Sequence, residues 1–228
     1  MIELSVGAAR VAFSTREGGV SKGPYESLNL GILTEDDPQA VAENRARLAG
    51  QAGLDAAMAM GRQVHGTDIK HWTGSPGAPL EEVDGHSTSL PGLALTVLAA
   101  DCYPVALAAE DRVAMLHCGW RGLAGGIIER GAEGFDAPPV AVVGPGIGAC
   151  CYEVGDEVSR AFEGIPGALA GRMLDLRAVA DHLLRATGIE DVRHVDLCTS
   201  CRSDLFFSHR RDQGVTGRQA GLVWLEKT

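Results

Sequence analysis

The sequence predicts an α/β fold that forms one domain over residues 1–228. Short apolar runs with the length of buried strands alternate with segments of helical periodicity, which is typical of layered α/β proteins. No internal repeat and no linker interrupts this alternation. A chain of 228 residues lies within the size range of one domain and buries enough surface to fold without added cross-links.

The N-terminal half is predicted to contain three strands and one helix. They cover, in order, a strand at 10–15, a helix from 37 to a glycine at 50 or 53, and strands at 58–64 and 93–100. The Asp37 carboxylate can cap the helix, and Pro38 suits its first turn. The run 93–100 is apolar throughout, follows Pro91-Gly92 and contains a β-branched pair, which favours a strand buried on both faces over a buried helix.

The C-terminal half is predicted to contain five strands and two helices. The strands cover 104–109, 113–116, 140–143, 192–195 and 221–225, and the helices cover 122–130 and 176–187. Apolar residues at 123, 127 and 128 support the first helix. The second carries an apolar stripe at 179, 180, 183 and 184, and Gly188 is a suitable C-terminal cap.

Composition and charge exclude several classes of protein. The net charge of −10 argues against general binding to nucleic acid or to anionic membranes, although His209-Arg210-Arg211, with Arg218 beyond it, can line a locally basic pocket. No apolar run approaches the roughly 20 residues that span a bilayer, and the N-terminus lacks the features of a signal peptide. We therefore expect a cytoplasmic protein in which the six cysteines are thiols or metal ligands.

Three candidate metal ligands follow predicted strands. His65 lies in Val64-His65-Gly66, Cys102 directly follows the apolar run 93–100, and His117 follows the strand 113–116. Imidazole nitrogen and thiolate sulfur suit zinc and copper, and three protein ligands leave one position open. The ends of strands are where α/β proteins place their chemistry, so the sequence predicts a metalloenzyme if the three side chains converge.

The same residues allow other interpretations. Cys102 can be a thiolate nucleophile activated by His117, or simply a small buried residue after a strand. A His₂Cys set also suits a trigonal copper site, but a full multicopper oxidase needs many more histidines than the seven present.

Several further residues are candidates for substrate binding. Arg121 lies in Gly119-Trp120-Arg121-Gly122, between a predicted strand and a helix, where an anion can bind. His209 and Arg210 follow two phenylalanines, and Arg16 and Asn29 flank a glycine-rich loop, although ordinary turns explain these patterns equally well or better. The Cys198-x-x-Cys201 pair is interpreted as structural thiols, since the adjacent Cys150 and Cys151 have the wrong spacing for a second zinc-binding pair.

These motifs resemble, in order and along nearly the whole chain, those of the polyphenol-oxidase or laccase-domain family. That family is also described as purine nucleoside phosphorylases, and its bacterial members include a peptidoglycan editing factor. The matching segments are 14–21, 27–31, 43–45, 64–66, 100–105, 117–122, 144–148, 150–155, 207–211 and 216–219.

The resemblance implies a layered α-β-β-α sandwich of the cysteine-hydrolase-like type. It implies Zn²⁺, with Cu²⁺ as the alternative, held by His65, Cys102 and His117. It implies phosphorolysis of adenosine, inosine, guanosine and methylthioadenosine, with adenosine deamination as a side activity and weak copper-dependent phenol oxidation. The partners would be a nucleoside and inorganic phosphate, and the protein a monomer or small homo-oligomer.

The resemblance also assigns roles to residues. Cys102, His117 and Arg121 would be catalytic, and Arg16, Asn29, His209 and Arg210 would bind substrate. Two residues depart from the family pattern: Cys118 stands where alanine is usual, and His86 where an apolar residue is common, which predicts two extra donors near the metal. The alternatives are a Cys102-dependent hydrolase or peptidoglycan-precursor editing enzyme, and a non-enzymatic domain that binds a partner.

Overall fold

The computed structural model describes residues 1–54, 58–77 and 80–227, and it contains two β-sheets with helices on their outer faces. The strands are β1 (Ile2–Val6), β2 (Ala9–Phe13), β3 (Ile69–Trp72), β4 (Gly85–Thr88), β5 (Leu95–Ala99), β6 (Tyr103–Ala108), β7 (Val113–Cys118), β8 (Val140–Val143), β9 (Leu169–Ala170), β10 (Met173–Leu174), β11 (Val192–His194) and β12 (Gln219–Leu225). The helices are α1 (Pro38–Gln51), α2 (Trp120–Gly125), α3 (Ile127–Ala132), α4 (Asp156–Phe162) and α5 (Leu176–Ala186).

One sheet has four strands and the other has six. The four-stranded sheet is antiparallel in the order β1-β2-β12-β5, and the six-stranded sheet is mixed in the order β11-β8-β6-β7-β4-β3. A further pair of short strands, β9 and β10, forms a hairpin. The predicted α/β class is confirmed.

Three apolar clusters separate these layers. The central cluster joins the facing sides of the two sheets, with Val97 and Val223 from one sheet and Met115 and Val142 from the other. A second cluster packs α2 to α5 against the outer face of the six-stranded sheet, and a third packs Leu48 of α1 against the outer face of the four-stranded sheet. Every residue of β6 and β7 is buried, because these strands have a sheet partner on each side and packed layers on both faces.

Several predicted elements lie close to their predicted places. The Asp37 side chain accepts a hydrogen bond from the backbone N–H of Gln39 and caps α1, with Pro38 in its first turn as expected. The helix predicted at 176–187 is α5, which ends before Gly188 at a positive φ of 86°. The strands predicted at 93–100, 104–109, 113–116 and 140–143 are β5 to β8, with ends shifted by one or two residues.

Two predicted elements are wrong. Residues 58–64 form only isolated bridges at Ala59 and Arg62, since the backbone N–H of Val64 donates to a side-chain carboxylate rather than to a neighbouring strand. The single helix predicted at 122–130 is divided into α2 and α3 by Gly126, whose φ of 92° lies in the left-handed region. The strands β1, β3, β4, β9 and β10 and the helix α4 were not predicted from the sequence.

None of the helices in the described part of the chain has both the length and the apolar character needed to cross a bilayer.

Candidate active site

The structure brings the three candidate ligands together. One ligand atom from each of His65, Cys102 and His117 lies within 4.8 Å of the others. The Cys102 Sγ is 3.9 Å from His65 Nε2, and the centroids of the two imidazole rings are 4.9 Å apart. This spacing, with soft and borderline donors and no carboxylate among them, fits a single zinc or copper ion.

The fold explains why Cys102 and His117 are neighbours. Cys102 lies in the short segment that leaves β5 in the four-stranded sheet and enters β6 in the six-stranded sheet. The antiparallel register of β6 and β7 pairs Pro104 with His117 and Tyr103 with Cys118. Cys102 therefore lies one residue before the Tyr103–Cys118 pair, beside the end of β7 that carries His117.

Asp84, which the sequence analysis missed, organises both histidines. It is fully buried, and its Oδ1 lies 2.8 Å from His117 Nδ1. The same carboxylate accepts hydrogen bonds from the backbone N–H groups of Val64, His65 and Gly66, at 2.8–3.0 Å. One carboxylate thus orients the His117 ring and fixes the loop that carries His65, as carboxylates behind metal-binding histidines do.

The loop conformation at His65 depends on this support. His65 has a φ of 61°, in the left-handed region that a non-glycine residue rarely adopts. Three consecutive N–H groups converge on Asp84, and these bonds offset the cost of that conformation. Asp101, beside Cys102, has a φ of 96° and is held in a similar way by the Thr199 hydroxyl.

The charges of the site favour a thiolate at Cys102. Burial alone would raise the pKa of the Asp84 carboxyl, but its hydrogen bonds from His117, Val64 and Gly66 lower that pKa overall. Burial likewise raises the pKa of the Cys102 thiol, but attraction to His117 and hydrogen bonds from both histidines outweigh burial and lower the pKa. Cys102 is therefore ready to act as a thiolate, which is the form that ligates metals or attacks electrophiles.

Gly119 makes room for this arrangement. A Cβ atom at this position would lie 3.0 Å from Cys102 Sγ and 3.0 Å from His65 Cδ2. Its φ of −83° is open to any residue, so the constraint here is the space between the two donors rather than the backbone.

The three donors lie on the wall of a cavity of about 600 Å³. Of the other predicted site residues, Arg121, His209 and Arg210 also line this cavity. Arg16 and Asn29 do not line it. The Arg16 guanidinium bonds the backbone carbonyls of Glu26 and Ser203, which fastens the glycine-rich loop.

Asn29 acts one layer behind the cavity wall. It is completely buried, and its Oδ1 accepts hydrogen bonds from the backbone N–H groups of Gly31 and Arg218, both of which line the cavity. Its amide nitrogen bonds Thr34 and Asp36. The observed contacts of Asn29 therefore shape the wall.

Four arginines of the cavity have no carboxylate partner among the described residues; they are Arg45, Arg121, Arg210 and Arg218. The Arg218 guanidinium bonds only the backbone carbonyls of Thr216 and Gly217, and the Arg121 guanidinium lies 4.2 Å from the Trp120 ring centroid. Arg210 lies over Tyr152, at 4.8 Å from its centroid. Arg45 and Arg218 are half-buried and Arg121 and Arg210 are exposed, and these four cations on the cavity wall suit an anionic ligand.

Neither of the two extra donors expected near the metal joins it. Cys118 points from β7 into the apolar cluster under α2 to α5, because successive residues of a strand face opposite sides. His86 is fully buried and accepts a hydrogen bond from the Trp72 indole N–H at its Nδ1. The His65, Cys102 and His117 group contains neither residue.

The interpretation of the remaining cysteines needs correction. Cys150 and Cys151 do form a group with Cys198 and Cys201, and all four sulfur atoms lie within 4.8 Å of one another. The spacing of the cysteines along the chain led to the wrong prediction that the two pairs could not form one site. The loops that carry them follow β8 and β11, which are adjacent parallel strands, so the pairs meet at one end of the sheet.

Comparisons with known proteins cover nearly the whole chain. The sequence pattern of a family described as multi-copper polyphenol oxidoreductase laccase matches residues 10–226. The purine nucleoside phosphorylase YfiH of Escherichia coli is 38% identical over 225 residues, which cover 93% of this chain and 92% of that protein. A purine nucleoside phosphorylase of Deinococcus radiodurans is 40% identical, with 95% and 89% coverage. The crystal structure of YlmD from Geobacillus stearothermophilus superposes with a TM-score of 0.90 at 34% identity, covering 96% of this chain and 93% of that one.

Proposed function

The chain belongs to the multi-copper polyphenol oxidoreductase laccase family, and from this membership we propose that it is a zinc-dependent purine nucleoside phosphorylase. Its substrates are adenosine, inosine, guanosine and methylthioadenosine, and adenosine deamination is a side activity. Relatives that carry the name purine nucleoside phosphorylase support the proposal, as they align over nearly the whole chain. The observation that carries it is the convergence of two histidines and a cysteine on the wall of a cavity with unpaired arginines.

The cavity suits both substrates. A volume of about 600 Å³ lies in the range of small-molecule sites. Its mouth and walls combine apolar surface from Met60, Leu98 and Ile147 with the rings of Trp120 and Tyr152. Apolar and aromatic surface receives a flat purine base, while the arginines receive phosphate.

Phosphate is the nucleophile in this reaction. One phosphate oxygen forms a bond to the ribose C1′ as the bond from C1′ to the purine N9 breaks, and the base leaves with the electron pair. Arg121 and Arg210, together with Arg218, bind and orient the phosphate dianion through charged hydrogen bonds. His209 lines the same cavity and orients the ribose or base.

The metal site contributes through its ligands. His65, Cys102 and His117 would hold zinc, which when bound supplies Lewis acidity beside the departing base. Asp84 keeps the proton of His117 on Nδ1, so that Nε2 is free to ligate. Donor spacing, the Asp84 hydrogen bond and the gap left by Gly119 are the observations that fit the ion.

Turnover of inosine with phosphate by zinc-loaded protein tests the proposal. We expect hypoxanthine and ribose 1-phosphate, with the rate lost on chelation and restored by zinc. Arg210→Ala should raise KM for phosphate, whereas Arg193→Ala, which removes an exposed arginine paired with Asp191, should leave it unchanged. Absence of turnover of all four nucleosides at full zinc occupancy would overturn the proposed activity.

A second candidate is favoured by the lowered pKa of the Cys102 thiol. A thiolate between two imidazoles is also the nucleophile of a cysteine hydrolase or a peptidoglycan-precursor editing enzyme. Such an enzyme would keep its rate after chelation and lose it on alkylation of the metal-free protein. Copper at the same three ligands would account for weak phenol oxidation, and oxygen uptake with a phenol and added copper tests this.

A further inference from the structure

A second group of metal-binding side chains lies outside the cavity. The sulfur atoms of Cys150, Cys151, Cys198 and Cys201 all lie within 4.8 Å of one another. The closest pairs are Cys151 with Cys201 at 3.4 Å and Cys150 with Cys201 at 3.6 Å. All four are free thiols, and Cys150 and Cys201 are exposed, so an ion in solution can reach the group.

The distances fit one tetrahedral ion. With a zinc–sulfur bond of about 2.3 Å, the sulfur atoms of a regular tetrahedron lie about 3.8 Å apart. The observed pairs lie close to this value, and the group as a whole is too compact for a polynuclear iron–sulfur cluster, in which cysteines bound to different irons lie farther apart. Four thiolates without histidine or carboxylate favour a closed structural site over a catalytic one.

The backbone around the group is arranged for thiolates. The N–H of Gly148 donates to Cys198 Sγ at 3.2 Å, a contact that stabilises negative charge on sulfur. A Cβ atom at Gly148 would lie 3.3 Å from Cys150 Sγ and 3.3 Å from the Cys198 Cβ, so the glycine lets the two loops approach. The Gly146 to Cys198 bridge continues this pairing beyond the ends of β8 and β11.

The group connects two segments of the cavity wall. Tyr152 follows Cys151 and packs under Arg210. Thr199, inside the Cys198 to Cys201 segment, donates its hydroxyl hydrogen to Asp101 Oδ1 at 2.7 Å, and Asp101 Oδ2 accepts from the backbone N–H of Arg210. An ion that joins the two loops would therefore fix the position of the residues beside Cys102.

We propose that Cys150, Cys151, Cys198 and Cys201 bind a structural zinc ion that clamps the loops after β8 and β11 against each other. This ion is separate from the one proposed at His65, Cys102 and His117, and it does no chemistry on substrate. Four sulfur ligands leave no position open for water.

Metal analysis of a variant without the first site tests this proposal. The double variant His65→Ala/Cys102→Ala removes two of the three ligands that face the cavity. Purified under reducing conditions from zinc-supplemented medium without chelators, it should retain about one zinc per chain. Its zinc X-ray absorption spectrum should show four sulfur ligands at about 2.3 Å. Wild-type protein should carry about two zinc ions.

Adding Cys201→Ser to the double variant should remove the zinc, whereas adding Cys118→Ala, which alters a cysteine outside both groups, should not. If the Cys201→Ser protein fails to fold, the X-ray absorption spectrum of the double variant still shows whether its zinc has four sulfur ligands. A folded double variant with no metal, one that holds iron instead, or one in which any two of the four sulfurs form a disulfide under these reducing conditions would overturn the proposal. Because the readout is metal content, it is independent of whether nucleosides are substrates.

Discussion

Replacing Asp84 by asparagine should weaken both the metal site and the folded protein. Oδ1 of Asp84 is hydrogen-bonded to the backbone N–H of His65 and to His117 Nδ1. Oδ2 accepts hydrogen bonds from the backbone N–H groups of Val64 and Gly66. An asparagine has one oxygen, so in either orientation its amide N–H₂ faces two donors. Two donors left unsatisfied, of which the backbone N–H groups are part-buried, cost up to about 1–3 kcal/mol each, or up to about 2–6 kcal/mol of unfolding free energy in total.

The same change should reduce metal affinity. Loss of a carboxylate behind a ligating histidine typically costs about 10–100-fold, and here the His65 loop loosens as well. Competition with a chromophoric chelator gives the affinity for zinc, and urea unfolding of the chelated protein gives the stability. The matched control is Asp68→Asn, which alters an exposed carboxylate paired with Arg130. Zinc affinity and unfolding free energy equal to those of the control would refute the role assigned to Asp84.

Three further predictions concern different parts of the molecule. Gly119→Ala should lower zinc affinity about 10-fold, because its Cβ displaces the Cys102 side chain. The backbone is not displaced, so the circular dichroism should stay near that of wild type. Unchanged zinc affinity would show that the donors can accommodate the added methyl group. Arg218→Ala should raise KM for phosphate at least 10-fold with little change in KM for inosine, because its guanidinium has no carboxylate partner among the described residues. An equal rise in both KM values would contradict a phosphate contact. Burial lowers the pKa of His86 to about 4, so the folded protein keeps this ring neutral while the unfolded chain protonates near pH 6.5. The stability it contributes is complete above pH 6.5 and is lost as pH falls toward 4, by about 2 kcal/mol between pH 7 and 5. Between these two pH values the unfolding free energy of His86→Gln, measured in urea, should fall by about 2 kcal/mol less than that of wild type. An equal fall in both proteins would contradict the role assigned to His86.

The sequence was most informative where strands are apolar throughout. The runs that became β5, β6 and β7 are almost wholly buried, and such strands carry a strong signal because nearly every position is hydrophobic. The donors were found for the same reason, as Cys102 and His117 stand where those runs end. Convergence itself was beyond the sequence, since it depends on which strands pair.

One missed element, β4, is polar but almost wholly buried. The strand β4 reads Gly-His-Ser-Thr and carries no apolar alternation, so neither it nor the neighbouring Asp84 was found. A buried aspartate is recognisable only when its donors are known, and those donors lie about 20 residues away in a loop. Arg16 and Arg218 both lie near glycines in the sequence, but only Arg218 lines the cavity. The local sequence does not distinguish these two positions.

The segment that carries Cys102 from one sheet to the other has a consequence for how the protein matures. Its sulfur meets the histidines only after the six-stranded sheet has formed, since Cys102 leads into β6, His117 belongs to β7, and Asp84 next to β4 holds the His65 loop. Metallation of this centre would thus be a late event during biogenesis, downstream of assembly. Extra zinc in the growth medium should then fail to rescue chains in which β4, β6 and β7 do not pair.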